Sequence, residues 1–382
     1  MEREIVKDFL SGKELLERLK KSGVNFVTGV PCGELRDLLN AVAEDYEIKH
    51  YPTTNERQAA ALASGAWLGG KNPLLYMQNS GFFVSSNEIG SIMITCNIPG
   101  VFVISWRGSE GEDATQHLAT GKATIPLLKA MGIEFVIEPT PDNIDYLLEK
   151  MENTQMPVAI LKKRHSFNTP QIPIVVEVND CREKGELFLE DEEQITLSRE
   201  EVLSQILINL DASVAVFSST GLISRSVFTN FDGPNHFYNA GGFGETSSLA
   251  LGFIMSRQDV STLIIEGDGS VLADLGNINL IGHYSPKKLK HIVLDNNALC
   301  SCSGEQTIGS KQIPILASQL GYKRVFSVAS LSALIDSYNI IMSQNDGPQM
   351  IHVKINTLGR RDFNRPLAMG SIARRFKSHF TI

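Results

Sequence analysis

Short apolar runs at 25–30, 48–51, 73–77, 100–105 and 157–161 have the length and bounding turn residues of buried strands. Between them the apolar spacing is helical. Phe9, Leu10, Leu15, Leu16 and Leu19 predict an amphipathic helix over 5–22, and a second helix is predicted over 33–45. Thr53-Thr54-Asn55-Glu56 offers cap residues to an Ala-rich helix running to about Leu68. The alternation resumes with helix 199–210, strand 213–217, helix 244–256, strand 261–266, helix 271–283, strand 291–295, helix 312–321 and strand 349–354. Strands alternating with helices build parallel, doubly wound sheets, so the fold class is α/β. From about 168 to 197 the periodicity lapses into Pro170, Pro173 and the acidic cluster Glu190, Asp191, Glu192 and Glu193. The expected organisation is therefore two domains, 1–170 and 198–382, joined by a linker over 171–197.

Composition narrows the function classes. A chain of 382 residues that is 42% hydrophobic and 20% charged is an ordinary globular protein with room for two cores. A net charge of −8 argues against nucleic-acid or anionic-membrane binding. Met1-Glu2-Arg3-Glu4 carries acid and no apolar core follows, and no apolar run approaches a membrane span. A cytoplasmic protein with no membrane or nucleic-acid partner is expected. The cysteines Cys32, Cys96, Cys181, Cys300 and Cys302 are scattered, and Cys300-x-Cys302 is too tight for a zinc or redox CxxC. They read as free, reduced thiols.

The chemistry concentrates at two strand ends of the second domain. Leu263-Ile264-Ile265 leads into Gly267-Asp268-Gly269-Ser270, and Ile292-Val293-Leu294 leads into Asn296-Asn297. Ligands of open α/β sheets bind at the carboxyl ends of strands. An Asp, an Asn amide and a loop carbonyl there are hard oxygen donors suited to Mg²⁺, which also takes phosphate oxygens. The pattern points to a metal holding a diphosphate. Ser270 is placed to cap the following helix and to donate to phosphate.

This motif resembles the GDG…NN signature of thiamine diphosphate (ThDP) enzymes. The resemblance implies that Asp268, Asn296 and the Ala298 carbonyl ligate Mg²⁺. It makes the two domains pyrimidine-binding and diphosphate-binding respectively, with no middle domain. Asn55-Glu56-Arg57, followed by Ala59, Ala61 and Gly65, resembles the family's NEG segment, with Arg57 in place of Gly. By that match Glu56 is the carboxylic acid that activates the cofactor's aminopyrimidine. Gly241-Gly242-Phe243-Gly244 resembles the segment whose carbonyl, here of Gly241, meets the pyrimidine amino group. Its bulky residue, here Phe243 where Met, Ile or Leu is commoner, wedges the cofactor's two rings together. Thr220 and Gly221 resemble a diphosphate-contacting segment, and Gly267, Gly269 and Ser270 share that role.

Narrower resemblances point to the phosphonopyruvate and sulfopyruvate decarboxylases. Tyr76-Met77-Gln78-Asn79-Ser80-Gly81 looks like their YMQNSG segment. Trp106-Arg107-Gly108, with Gly111, Asp113, Gln116 and His117, resembles a WRG…G…DEPQH pattern. Gly359-Arg360-Arg361-Asp362 with Arg365-Pro366 looks like the family's C-terminal GSRKDLGRP. This implies decarboxylation of 3-phosphonopyruvate to phosphonoacetaldehyde and CO₂. Gln78, Asn79, Ser80 and Arg107 would surround the anionic substrate, with Arg360 and Arg361 as weaker candidates, and His117 would assist catalysis. The resemblance also implies a homodimer or homotetramer with active sites at the subunit interface. Three departures bear on the substrate: Ala114-Thr115 inside the DEPQH pattern, Cys300 where a His is expected, and Val30-Pro31-Cys32, which is closer to sulfopyruvate decarboxylases. Decarboxylation of sulfopyruvate or another anionic 2-oxo acid is the alternative enzyme reading. A non-catalytic ThDP-binding regulatory subunit is the alternative of another class.

Overall fold

The computed structural model describes residues 9–109, 114–164, 182–190 and 195–381. The chain divides into two compact units, residues 1–63 with 71–177, and residues 64–70 with 178–382. The first unit holds a six-stranded sheet of β1 (Phe26–Gly29), β2 (Lys49–Pro52), β3 (Pro73–Gln78), β4 (Val101–Trp106), β5 (Glu134–Ile137) and β6 (Val158–Lys163). Their order is β2-β1-β3-β4-β6-β5, with every pairing parallel. β3, β4 and β6 are buried along their first five residues and emerge only at their carboxyl ends, at Gln78, Trp106 and Lys163. One face of the sheet packs Tyr76, Val103 and Ile160 against Leu15, Leu16 and Leu19 of helix Gly12–Lys21 and Leu38 of helix Arg36–Glu44.

The second unit holds β7 (Glu186–Leu189), β8 (Ala215–Ser218), β9 (His236–Tyr238), β10 (Thr262–Gly267), β11 (Leu289–Asp295), β12 (Arg324–Val328) and β13 (Gln349–Lys354). Their order is β7-β12-β13-β11-β10-β8-β9, again with parallel pairings. All seven residues of this central strand β11 are buried, the polar Lys290, His291 and Asp295 among them. In each unit the chain leaves its first central strand toward one edge and returns on the other side. The resulting switch points lie between β1 and β3 and between β8 and β10, where ligands of such sheets collect.

The structure departs from the sequence expectations at several places. The opening helix begins at Gly12 rather than at 5, because Ser11 and Glu14 form a capping box there; residues 1–8 lie outside the described residues. The helix expected over 271–283 is two helices, Asp268–Ala273 and Gly276–Tyr284. The break falls at Asp274, whose carboxylate accepts the Gly276 amide at 3.0 Å. Within the expected linker, Glu186–Leu189 is an edge strand paired to β12, while 171–181 and 191–194 lie outside the described residues. Among the described residues no helix is long and apolar enough to cross a membrane.

Candidate active site

The first unit forms a recess at the carboxyl ends of β1, β3 and β4. Glu56, Gln78, Ser80, Arg107 and Cys32 line it together. Glu56 is half-buried at the first turn of helix Glu56–Leu68, where the helix dipole favours an anion. Its position depends on Gly81. A Cβ there would meet the Glu56 carboxylate oxygen at 2.3 Å and its Cγ at 2.5 Å. Beside it Arg57 pairs with the buried Glu88 at 3.2 Å, the use this chain makes of its departure from Gly. The Gln78 amide donates to Ser80 at 2.8 Å. The Cys32 thiol sits 3.1 Å from the Ser105 hydroxyl and 3.8 Å from the Gln78 amide oxygen.

Asn79 turns the other way. It is fully buried, and its amide donates to the Arg107 carbonyl at 2.9 Å and to Thr124 at 3.0 Å while accepting the Arg107 amide at 3.3 Å. Instead of facing the recess with Gln78 and Ser80, it holds the turn that carries Arg107. That turn is tight. Gly108 has φ +72°, and a Cβ on it would strike the His117 carbonyl at 2.0 Å. His117 ends a short 3₁₀ turn, Thr115–His117, and is not among the residues lining the recess; Gly111 and Asp113 lie outside the described residues. Cys32, Cys96, Cys300 and Cys302 are free thiols, and burial pushes the Cys96 thiol up to about 12.

The second unit forms its own recess at the carboxyl ends of β8, β10, β11 and β13. Thr220, Phe243, Gly267–Ser270, Asn296 and Ala298 all line it. Asp268 opens helix Asp268–Ala273 and is 4% exposed. Thr307 donates its hydroxyl to the Asp268 carboxylate. Burial, reinforced by the negative charge of Asp295, raises the Asp268 carboxyl above the usual carboxylate range. Burial alone would raise Asp295 as well. Hydrogen bonds from His352 and the Asn297 amide outweigh it and hold Asp295 below its ordinary value. The Asn296 amide oxygen accepts the Ala298 amide at 3.0 Å, and the Ala298 carbonyl accepts the Cys300 amide at 2.9 Å. Each oxygen keeps a second lone pair.

These donors fit a diphosphate-bound divalent cation. A buried pair of facing carboxylates is costly without a nearby positive charge. The amide and carbonyl oxygens beside it are the hard ligands that Mg²⁺ takes. The rim is equally specific. Asn239 donates to the Gly242 carbonyl at 2.6 Å and accepts its amide at 3.0 Å, fixing the turn that presents Phe243, which is 44% exposed. The Gly241 carbonyl accepts the Phe243 amide at 3.0 Å. Thr220 donates to the Ala240 carbonyl at 3.0 Å, and Gly221 precedes helix Leu222–Phe231 with φ +94°.

Ser270 is directed inward, not to a phosphate: its hydroxyl donates to the buried Glu266 at 2.9 Å, leaving only its backbone amide for a ligand. Sequence reasoning passed over Thr307, Asp295, Asn239 and Arg199. Arg199 lines the recess, donates to the Arg360 carbonyl and lies 5.4 Å over the Phe363 ring. It thereby holds the C-terminal arginine segment, of which Arg361 lines the recess. The signal for Asp295 was present, as a lone acid ending an apolar strand.

Residues 11–120 match the thiamine pyrophosphate enzyme N-terminal TPP binding domain, and residues 219–353 the C-terminal TPP binding domain. A phosphonopyruvate decarboxylase of Streptomyces viridochromogenes is 31% identical over 97% of this chain and 95% of its own. The sulfopyruvate decarboxylase subunit alpha of Methanococcus maripaludis is 39% identical over 37% of this chain and 86% of its own. The fold is similar to that of benzoylformate decarboxylase from Polynucleobacter necessarius, with a TM-score of 0.68 at 12% identity, covering 92% of this chain and 99% of that one. The chain belongs to the phosphonopyruvate/sulfopyruvate decarboxylase family of thiamine diphosphate enzymes, and is a carboxy-lyase acting on a 2-oxo acid.

Proposed function

We propose that the chain decarboxylates 3-phosphonopyruvate to phosphonoacetaldehyde and CO₂, using ThDP held by Mg²⁺. The observation that carries this reading is Arg107 in the Glu56 recess, in a chain similar to a phosphonopyruvate decarboxylase over nearly its whole length. A compact dianion beside a carboxylate needs fixed donors and a cation, and Arg107, Gln78 and Ser80 are that set. Asp268, Asn296 and the Ala298 carbonyl would hold Mg²⁺. Thr220, Gly221 and the amides of Gly269 and Ser270 would receive the diphosphate, and Phe243 and the Gly241 carbonyl the rings. When bound, ThDP supplies the electron sink for loss of CO₂. Glu56 holds and returns the proton that switches the aminopyrimidine. His117 is assigned a supporting role in proton transfer or substrate binding.

Assembly as a homodimer or homotetramer belongs to the same reading, with Glu56 of one copy serving the Asp268 recess of another. Mixed Glu56→Gln and Asp268→Asn chains would then regain activity that neither has alone. A second reading, sulfopyruvate as substrate, is favoured by Cys32 and by the likeness of 37% of the chain to a sulfopyruvate decarboxylase subunit alpha. A coupled aldehyde assay on phosphonopyruvate, sulfopyruvate and pyruvate, with and without ThDP and Mg²⁺, separates the readings by kcat/KM. Turnover of neither anionic acid, or full activity in Glu56→Gln, contradicts the proposal.

A further inference from the structure

Three polar side chains lie on one face of the central strands in the second unit. Ser327 on β12 is the registered partner of His352 on β13, and His352 is the registered partner of Val293 on β11. The strand period of two returns to the Val293 face at Asp295. The side chains meet accordingly. The Ser327 hydroxyl lies 3.0 Å from His352 Nδ1, and His352 Nε2 lies 2.9 Å from an Asp295 carboxylate oxygen. All three are buried, at 3%, 1% and 5% exposure. An ionised Asp295 accepts only, so His352 Nε2 carries the proton, and in the neutral ring Nδ1 then accepts from the Ser327 hydroxyl. The imidazole is thus held at both ends, with its tautomer set by its neighbours.

Burying such a chain does little for stability, since apolar side chains of similar volume would serve as well. Its position has a local consequence. The second Asp295 oxygen accepts the Asn297 amide at 2.7 Å, and the Asp295 carboxyl lies against that of Asp268. Asn297 is in the left-handed region at φ 55°, which asparagine tolerates, and its amide bond to Asp295 helps to hold the turn. The same turn carries the Asn296 side chain and the Ala298 carbonyl to the recess.

We infer that His352 is a positioning residue for the metal–diphosphate loop, acting through Asp295, with Ser327 fixing its ring. The inference rests on the reading of Asp268, Asn296 and Ala298 as metal ligands. Removing the Nε2 donor frees Asp295 to rotate and loosens the Asn297 turn, so metal affinity falls more than the rate at saturating metal. Outer partners of metal ligands are typically worth about 10–100-fold in metal affinity.

The test is Mn²⁺ binding with ThDP present, read from the electron paramagnetic resonance signal of free Mn²⁺, beside kcat at saturating Mn²⁺. His352→Ala should raise the Mn²⁺ Kd about tenfold or more, with kcat at saturation changed much less. His352→Gln, whose amide can still donate to Asp295, should recover most of the affinity, as loss of packing alone would not predict. Ser327→Ala removes one hydroxyl, keeps the fold and should weaken Mn²⁺ measurably; it carries the test should His352→Ala fail to fold. Wild-type Mn²⁺ affinity in folded His352 and Ser327 variants, with Asp268→Asn impaired, overturns the inference alone. Wild-type affinity in Asp268→Asn instead overturns the metal assignment beneath it.

Discussion

Gly81→Ala separates the position of Glu56 from its chemistry. The added Cβ would lie 2.3 Å from the Glu56 carboxylate oxygen and 2.5 Å from its Cγ, where ordinary contact begins at 3.4 Å. The obstacle is a side chain rather than backbone, so Glu56 gives way and the fold stays. The displacement needed is the shortfall, about 1 Å. Gly81 lies within helix Asn79–Val84 without positive φ, so alanine is locally favourable there, by up to about 1 kcal/mol. Stability should hold or rise. Activity should fall, because about 1 Å of misplacement can cost ~10²-fold, or about 2.7 kcal/mol of barrier. Thermal unfolding and ThDP-dependent CO₂ release, measured on one preparation, give both quantities. Unaltered kcat/KM would refute the claim that Glu56 must sit where Gly81 allows it. Loss of activity with a collapsed melting temperature would refute the claim that the clash is relieved by the side chain.

Two further outcomes follow from buried polar groups. Asn79→Ala removes three hydrogen bonds at a fully buried side chain, those with the Arg107 carbonyl, the Arg107 amide and Thr124, so chemical denaturation should show a loss of about 2–3 kcal/mol. KM should rise more than kcat falls, since the loosened turn carries Arg107; an unchanged KM contradicts that. His236 is 6% exposed, and burial pushes it from its ordinary 6.5 down to about 4 despite the neighbouring Asp232. The unfolded chain takes up this proton first, so the stability is fully present above 6.5 and is lost as pH falls from 6.5 toward 4. At 1.36 kcal/mol per pH unit the loss is about 3 kcal/mol. The stability difference between wild type and His236→Gln should shrink by that amount across this window in urea melts. A difference independent of pH would show that His236 is not held neutral.

Central strands were legible because burial on both faces leaves an unbroken apolar run, as in Leu74–Met77 and Ile292–Leu294. The strands that escaped lack that run. β5 opens on Glu134, β12 on Arg324 with Ser327 inside, and β7 is an exposed edge of four residues beside an acidic cluster. β9 is three residues, His236–Tyr238, and was hidden by the Gly-Pro-Asn turn before it. The break at Asp274 was invisible for another reason. The apolar periodicity continues across it, and only the carboxylate bond to the Gly276 amide shows the chain turning.

The candidate site was legible as a set of positions but not as a division of labour. Gln78, Asn79 and Ser80 are neighbours of similar chemistry, yet two line the recess and one holds the Arg107 turn from behind. Ser270 and Thr307 divide likewise: the motif serine serves Glu266, and an unremarked threonine serves Asp268. A hydroxyl or amide that meets ligand and one that steadies the residue meeting ligand obey the same hydrogen-bonding rules. Composition and spacing therefore cannot tell them apart, and only the direction of the side chain does. The consequence is kinetic. A residue that meets ligand should lose rate or binding while the unfolding free energy stays put, as expected for Ser80→Ala. A residue that holds another should lose both together, as expected for Asn79→Ala. Equal stability costs for the two substitutions would mean that the structure has assigned their directions wrongly.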